Sequence, residues 1–121
     1  MTKPFLYMDF IMSVINKNIS NKDNLLAFGE NIDTGSKISG LARGLEVNNS
    51  SKILNVGNCE LTHCGVGFGM MMDGGSSVLF SKQLDFMLLG LDQICNTYNS
   101  IRAFESKKDI GSFTIFVIVC D

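Results

Sequence analysis

Gly57-Asn58-Cys59-Glu60-Leu61-Thr62-His63-Cys64-Gly65-Val66-Gly67-Phe68-Gly69 is the stretch on which the fold turns. A β-prone run, Lys52 to Val56, leads into it, and a second one, Ser77 to Phe80, follows after Gly74-Gly75. The pattern predicts a helix over 60–73 despite its interior glycines, each of which costs about 1 kcal/mol relative to alanine. Gly74-Gly75 reads as the stop signal of that helix. Strand, helix and strand in this order make a βαβ unit. Such units build parallel sheets with right-handed crossovers and helices on both faces.

The rest of the chain extends the same alternation. Phe5, Met8, Ile11, Met12 and Ile15 recur at steps of three and four, which predicts an amphipathic helix over 5–19. Leu25-Leu26-Ala27-Phe28, closed by Gly29, reads as a buried strand. Asp33 to Ser36 reads as a turn and Lys37 to Leu45 as helical. Leu84 to Phe104 reads as one long helix with Leu84, Met87, Leu88, Leu91, Ile94 and Cys95 on its apolar face. A polar turn over 105–111 precedes the most β-prone segment, Ser112 to Cys120. The expectation is a single α/β domain over residues 1–121, with a mostly parallel sheet and helices on both faces. The sequence stops one residue after its strongest predicted strand, so a fragment or one module of a larger assembly is expected.

Composition limits the function classes. The 121 residues carry a net charge of −2, with 45% hydrophobic residues. Neither a basic block nor an aromatic ladder among lysines is present, which argues against nucleic acid. No apolar run approaches the roughly 18 residues that cross a bilayer. Asp9 interrupts the apolar start and no small-residue cleavage site follows, so residues 1–11 do not read as a signal peptide. Cys59, Cys64, Cys95 and Cys120 sit in apolar segments and are expected as buried, reduced thiols of a cytoplasmic protein. Cys59, His63 and Cys64 match no standard zinc spacing. The apolar surplus is expected to face a partner.

The glycines suggest nucleotide binding, but G-x-G-x-G inside a helix is not the G-x-G-x-x-G of a dinucleotide turn, and a P-loop lysine is missing. Gly65 and Gly69 share a helix face, which predicts close backbone packing there. Glu60 stands apart. It is the one acidic residue in an apolar segment, just beyond the carboxyl end of a strand, where open α/β sheets bind ligands. Two readings stay open for it: a first-turn glutamate favoured by the helix dipole, or a chemically employed carboxylate.

Gly29-Glu30-Asn31, Cys59-Glu60, Gly65 to Gly69, Gly74, Asp85-Phe86, Asp92-Gln93-Ile94 and Asn96 occur in one ungapped order from Glu60 onward. In this, residues 25–119 resemble the pyrimidine-binding domain of thiamine diphosphate enzymes. The likeness is nearest to the β subunit of the first component of 2-oxo acid dehydrogenases and more distant to transketolase. The resemblance implies that Glu60 is the catalytic carboxylate that hydrogen-bonds N1′ of the cofactor's aminopyrimidine and promotes its tautomerisation. It implies that Phe86 packs on that ring, although a core aromatic would look the same. Lys82 falls where the family often has an apolar residue beside the pyrimidine, and Asn58 replaces an apolar family position just before the glutamate; both are assigned to the same pocket as polar departures. His63 does not match the family's catalytic histidine and reads as a packed helix residue.

Nothing resembles the Gly-Asp-Gly motif that carries Mg²⁺ and diphosphate. The resemblance therefore implies a diphosphate-binding domain or subunit outside this chain and a homo- or hetero-oligomer inactive in isolation. The expected function is the pyrimidine-binding half of a thiamine diphosphate enzyme for 2-oxo acid decarboxylation or dehydrogenation. Part of a split transketolase, or a non-catalytic interaction module with the same fold, are the alternatives.

Overall fold

The computed structural model describes residues 6–104 and 110–119. Phe5, residues 105–109 of the expected turn, and Cys120 lie outside the described residues. Four strands form one sheet: β1 (Leu25–Gly29), β2 (Lys52–Asn55), β3 (Ser76–Ser81) and β4 (Ser112–Val117). All neighbours are parallel and the order is β2-β1-β3-β4. The register runs unbroken, from Leu25 opposite Ser76 to Ser81 opposite Val117.

A parallel sheet needs cover on both faces, because its crossovers place chain above and below it. Strand alternation supplies two apolar faces here. Leu25, Ala27, Val78 and Phe80 meet Met12, Ile15 and Ile19 of α1 (Tyr7–Ile19) and Ile38, Leu41 and Ala42 of the β1–β2 crossover. On the other face, Phe28 and Leu79 meet Cys64, Phe68 and Met71 of α2 (Glu60–Met72), together with Met87. The α/β fold with helices on both faces is thus the architecture of the chain.

Helix α2 ends in a Schellman pair. Gly74, at φ 88°, donates its N–H to the Met71 carbonyl, and Gly75 donates to the Met70 carbonyl at 2.8 Å. Its interior glycines do not pack as their spacing suggested. A Cβ on Gly65 or Gly69 would meet nothing, whereas one on Gly67 would collide with the Phe113 ring. Gly67 is the contact residue because it faces the sheet. There Phe113 stacks edge-on against Phe68, with centroids 5.0 Å apart.

Two helical expectations change. The 37–45 segment holds only a short 3₁₀ turn, Ile38–Gly40, with Lys37, Ile38 and Ser39 at positive φ. Left-handed backbone costs roughly 1–2 kcal/mol per residue. It is held by the Ile38 N–H donating to the Asn31 carbonyl and by full burial of Ile38. Asn16 of α1 fastens the end of the crossover, donating to the Gly44 carbonyl and accepting from the Glu46 N–H.

The expected long helix over 84–104 is three pieces. A tight 3₁₀ stretch (Asp85–Gly90) passes into a wide π stretch (Gln93–Thr97) and then into α3 (Tyr98–Phe104). Gly90 sets the break. A Cβ there would lie 2.6 Å from Cys64 Sγ and 3.3 Å from the Glu60 carbonyl, so only glycine lets this segment press against α2. The face turned to the core is Met87, Gly90, Ile94 and Tyr98, while Leu84, Leu88, Leu91 and Cys95 are exposed.

Gly65→Ala and Gly69→Ala should each stabilise the chain by roughly 0.5–1 kcal/mol, the helix-propensity difference. Gly67→Ala should destabilise it by about 1–3 kcal/mol, because overpacking against Phe113 outweighs that gain. Urea midpoints of the three variants check the order.

Candidate functional site

The strand order places a topological switch at the carboxyl ends of β1 and β3. The chain leaves β1 for β2 on one side, then crosses back over β1 to reach β3. Crevices at such points receive the ligands of open α/β sheets. Glu30 follows β1, Asn58 follows β2 and Lys82 follows β3, and the three converge. With its amide nitrogen turned to the carboxylate, Asn58 donates to Glu30 Oε2 at 2.7 Å and lies 3.3 Å from Oε1. Asn31 donates to Glu30 Oε1 at 3.5 Å. Lys82 Nζ is 3.6 Å from the same oxygen. Lys82 is half-exposed, so this ion pair contributes at most about 1 kcal/mol. Its importance is geometric, since one carboxylate ties the ends of three strands.

Beside this cluster lies a cleft of about 420 Å³, lined by Asn58, Cys59, Glu60, Leu61, Phe86 and Leu89. Asn58, Glu60 and Phe86 of the four expected site residues come together here. Lys82 does not line the cleft; it reaches it only through Glu30 and Asn58. Glu30 itself was legible only as part of a motif. Its signal was its place directly after a strand-ending glycine.

Glu60 occupies the first position of α2 and is only 7% exposed. Among the described residues its carboxylate has no ion-pair or hydrogen-bond partner. None of the described buried side-chain oxygens is fully enclosed without a partner, so the Glu60 oxygens keep access to the cleft. The residue before it gives no side-chain cap: the Cys59 thiol instead pairs with the Thr62 hydroxyl at 2.9 Å. Glu60 therefore offers a hydrogen-bond acceptor between an aromatic ring and two leucines. His63, one turn on, is packed edge-on against Phe28 at 6.0 Å and belongs to the core.

The thiols divide by environment. Cys59 and Cys95 are exposed, contrary to the expectation of burial, because each lies on the outward side of its segment. Cys64 is fully buried. Burial pushes its thiol from 9.0 to about 11, and the Glu60 carboxylate one turn away adds to the effect. Among the described residues, no group of three or more His, Cys, Asp or Glu is placed to hold a metal ion. No helix among them is long and apolar enough to cross a membrane.

A thiol whose folded pKa is raised stays protonated in the native state. Its contribution to stability is complete below the unfolded value of 9.0 and is lost as pH rises through about 11. Urea midpoints should therefore fall across that window, and Cys64→Ala should flatten the fall. In native protein at pH 8, iodoacetamide should label Cys59 and Cys95 and spare Cys64 until the chain is unfolded.

In comparison with known proteins, the chain matches no family model, no curated protein and no solved structure.

Proposed function

We propose that this domain is the pyrimidine-binding half of a thiamine diphosphate-dependent enzyme. The observation that carries the reading is Glu60, a largely buried residue whose carboxylate has no hydrogen-bond or ion-pair partner among the described residues and opens on a cleft walled by Phe86. A charge near a helix N-terminus gains about 0.3–1 kcal/mol, which accounts for a glutamate at this position but not for the cleft it faces. A ligand that donates to the carboxylate would use the access its oxygens keep to that cleft.

The residues fit an aminopyrimidine. Glu60 holds a proton shared with a ring nitrogen, which is the role of a general acid–base group worth roughly 10²–10⁴-fold in rate. Phe86 offers a flat face to a flat heteroaromatic ring, contributing on the order of 1 kcal/mol beyond the area covered. Asn58, fixed by Glu30, makes one polar wall. When bound, the cofactor supplies the electron sink for cleaving a carbon–carbon bond next to a carbonyl. The resemblance implies a 2-oxo acid as the substrate class, with ketol transfer between sugars as the alternative.

The diphosphate and its Mg²⁺ need anion- and metal-binding groups, which a partner domain or subunit brings. Leu61, Leu84, Leu88 and Leu89 are exposed around or beside the cleft, and a partner seated over its mouth would cover them.

Thiamine titrated into the isolated chain should shift the NMR signals of Asn58 to Leu61, Phe86 and Leu89, with weak affinity. Calorimetry with thiamine diphosphate should give little further gain from Mg²⁺. In the assembled enzyme, Glu60→Gln should preserve the fold and abolish hydrogen–deuterium exchange at C2 of the cofactor. Unaltered exchange in that variant would remove Glu60 from the chemistry and favour a non-catalytic interaction module.

A further inference from the structure

Asn58 and Cys59 stand in the wall between the Glu60 cleft and a second cavity of about 320 Å³. Its apolar lining is Leu26, Phe28, Leu54, Val56 and Val66, and Thr62 and His63 add polar groups. The cavity lies between α2 and the β2 side of the sheet, where Leu54 is left half-exposed. Its volume is at the lower end of small-molecule sites, which run from about 300 to 1,000 Å³.

His63 is only 8% exposed. Its ring meets Phe28 edge-on, yet its nitrogens have no hydrogen-bond or ion-pair partner among the described residues. None of the described buried side-chain nitrogens is fully enclosed without a partner, so the imidazole opens on the cavity it lines. A neutral imidazole carries one donor and one acceptor nitrogen, and an apolar surrounding satisfies neither. Cys59, one turn earlier, presents an exposed thiol to the same cavity, 2.9 Å from the Thr62 hydroxyl. The His63 backbone N–H donates to the Cys59 carbonyl at 2.9 Å, so the two residues follow each other on one face of the first turn of α2. A nucleophilic sulfur, an unpaired imidazole and an apolar hollow thus share one small space.

We propose that Cys59 is a covalent capture site for a small disulfide bearing a flat apolar group, and that the captured group lies in the His63 cavity. The Cys59 sulfur, as thiolate, attacks one sulfur of the incoming disulfide. A bond to the protein sulfur forms as the original S–S bond breaks, and the departing thiol takes the electron pair and the proton that Cys59 gave up. The Cys59 thiol is oxidised and half of the incoming disulfide is reduced, so no other reactant is consumed. The flat group then covers apolar wall, and an acceptor atom on it takes the imidazole N–H. The lining favours an aromatic or compact aliphatic substituent over a charged one. Exchange at Cys59 uses neither Glu60 nor Phe86, so this proposal and the thiamine diphosphate reading stand or fall separately.

Mass spectrometry after brief exposure to 2,2′-dithiodipyridine at pH 8 reads the rate at each thiol of the intact chain. Cys59 should form its mixed disulfide about tenfold or more faster than Cys95, the other exposed thiol among the described residues. With cystamine, whose arms are charged, the advantage should fall to about twofold or less. In the pyridyl adduct, NMR signals of Leu26, Val56 and the His63 ring should shift. Leu54→Trp, at a half-exposed position on the cavity wall, should keep the fold and bring the Cys59 rate down to that of Cys95. His63→Leu should lower the rate about threefold, the worth of one hydrogen bond. A Cys59 rate no greater than that of Cys95, an equal advantage with cystamine, unshifted cavity signals in the adduct, or an advantage that survives Leu54→Trp would each overturn the proposal. If the variants do not fold, the comparison of the two disulfides on the unmodified chain decides.

Discussion

A parallel sheet cannot leave either face to water, and here that constraint arranges nearly everything else. Its crossovers must run back over the sheet, so α2 has to start where β2 ends and pass across β1 before β3 begins. That path puts the first residue of α2 next to the switch point between β1 and β3. A carboxylate at this position is held close to the segments that follow β2 and β3. The cleft is in this sense a by-product of covering Phe28 and Leu79, and the chemistry of the site depends on which side chain happens to stand there.

Much of the architecture was legible because apolar periodicity reports burial on both sides of strands and on one side of helices. The four strands and helices α1 and α2 follow their patterns to within a residue or two over the described segments. Failure came where backbone geometry overrode the pattern. Leu84, Leu88 and Leu91 are spaced like a core face, yet Gly90 must touch Cys64, and that contact rotates the leucines outward. Gly65 and Gly69 looked like the packing pair, but only Gly67 points at the sheet. Spacing identifies a shared face; it does not say which face turns inward.

Within the site, Glu60 was conspicuous as the lone acid in an apolar stretch, and the cleft groups it with Asn58 and Phe86. The link from Lys82 through Glu30 to Asn58 joins residues up to 52 apart in sequence, 30 to 82, and no local pattern encodes it. Convergence of strand ends is a property of strand order. It becomes visible only once the order β2-β1-β3-β4 is known.

The alternation of side chains along each strand has a consequence for cooperativity. Within β3, Val78 and Phe80 serve one core while Leu79 serves the other; β1 is split in the same way between Ala27 and Phe28. Neither core has strands of its own, so neither layer can melt and leave a folded remainder behind. Local opening is then confined to segments outside the ladder, above all the tight-to-wide helical stretch from 85 to 97 that borders the cleft. A ligand seated at the strand ends would stabilise the molecule as one unit, and its binding free energy would appear in full as a shift of a single unfolding transition.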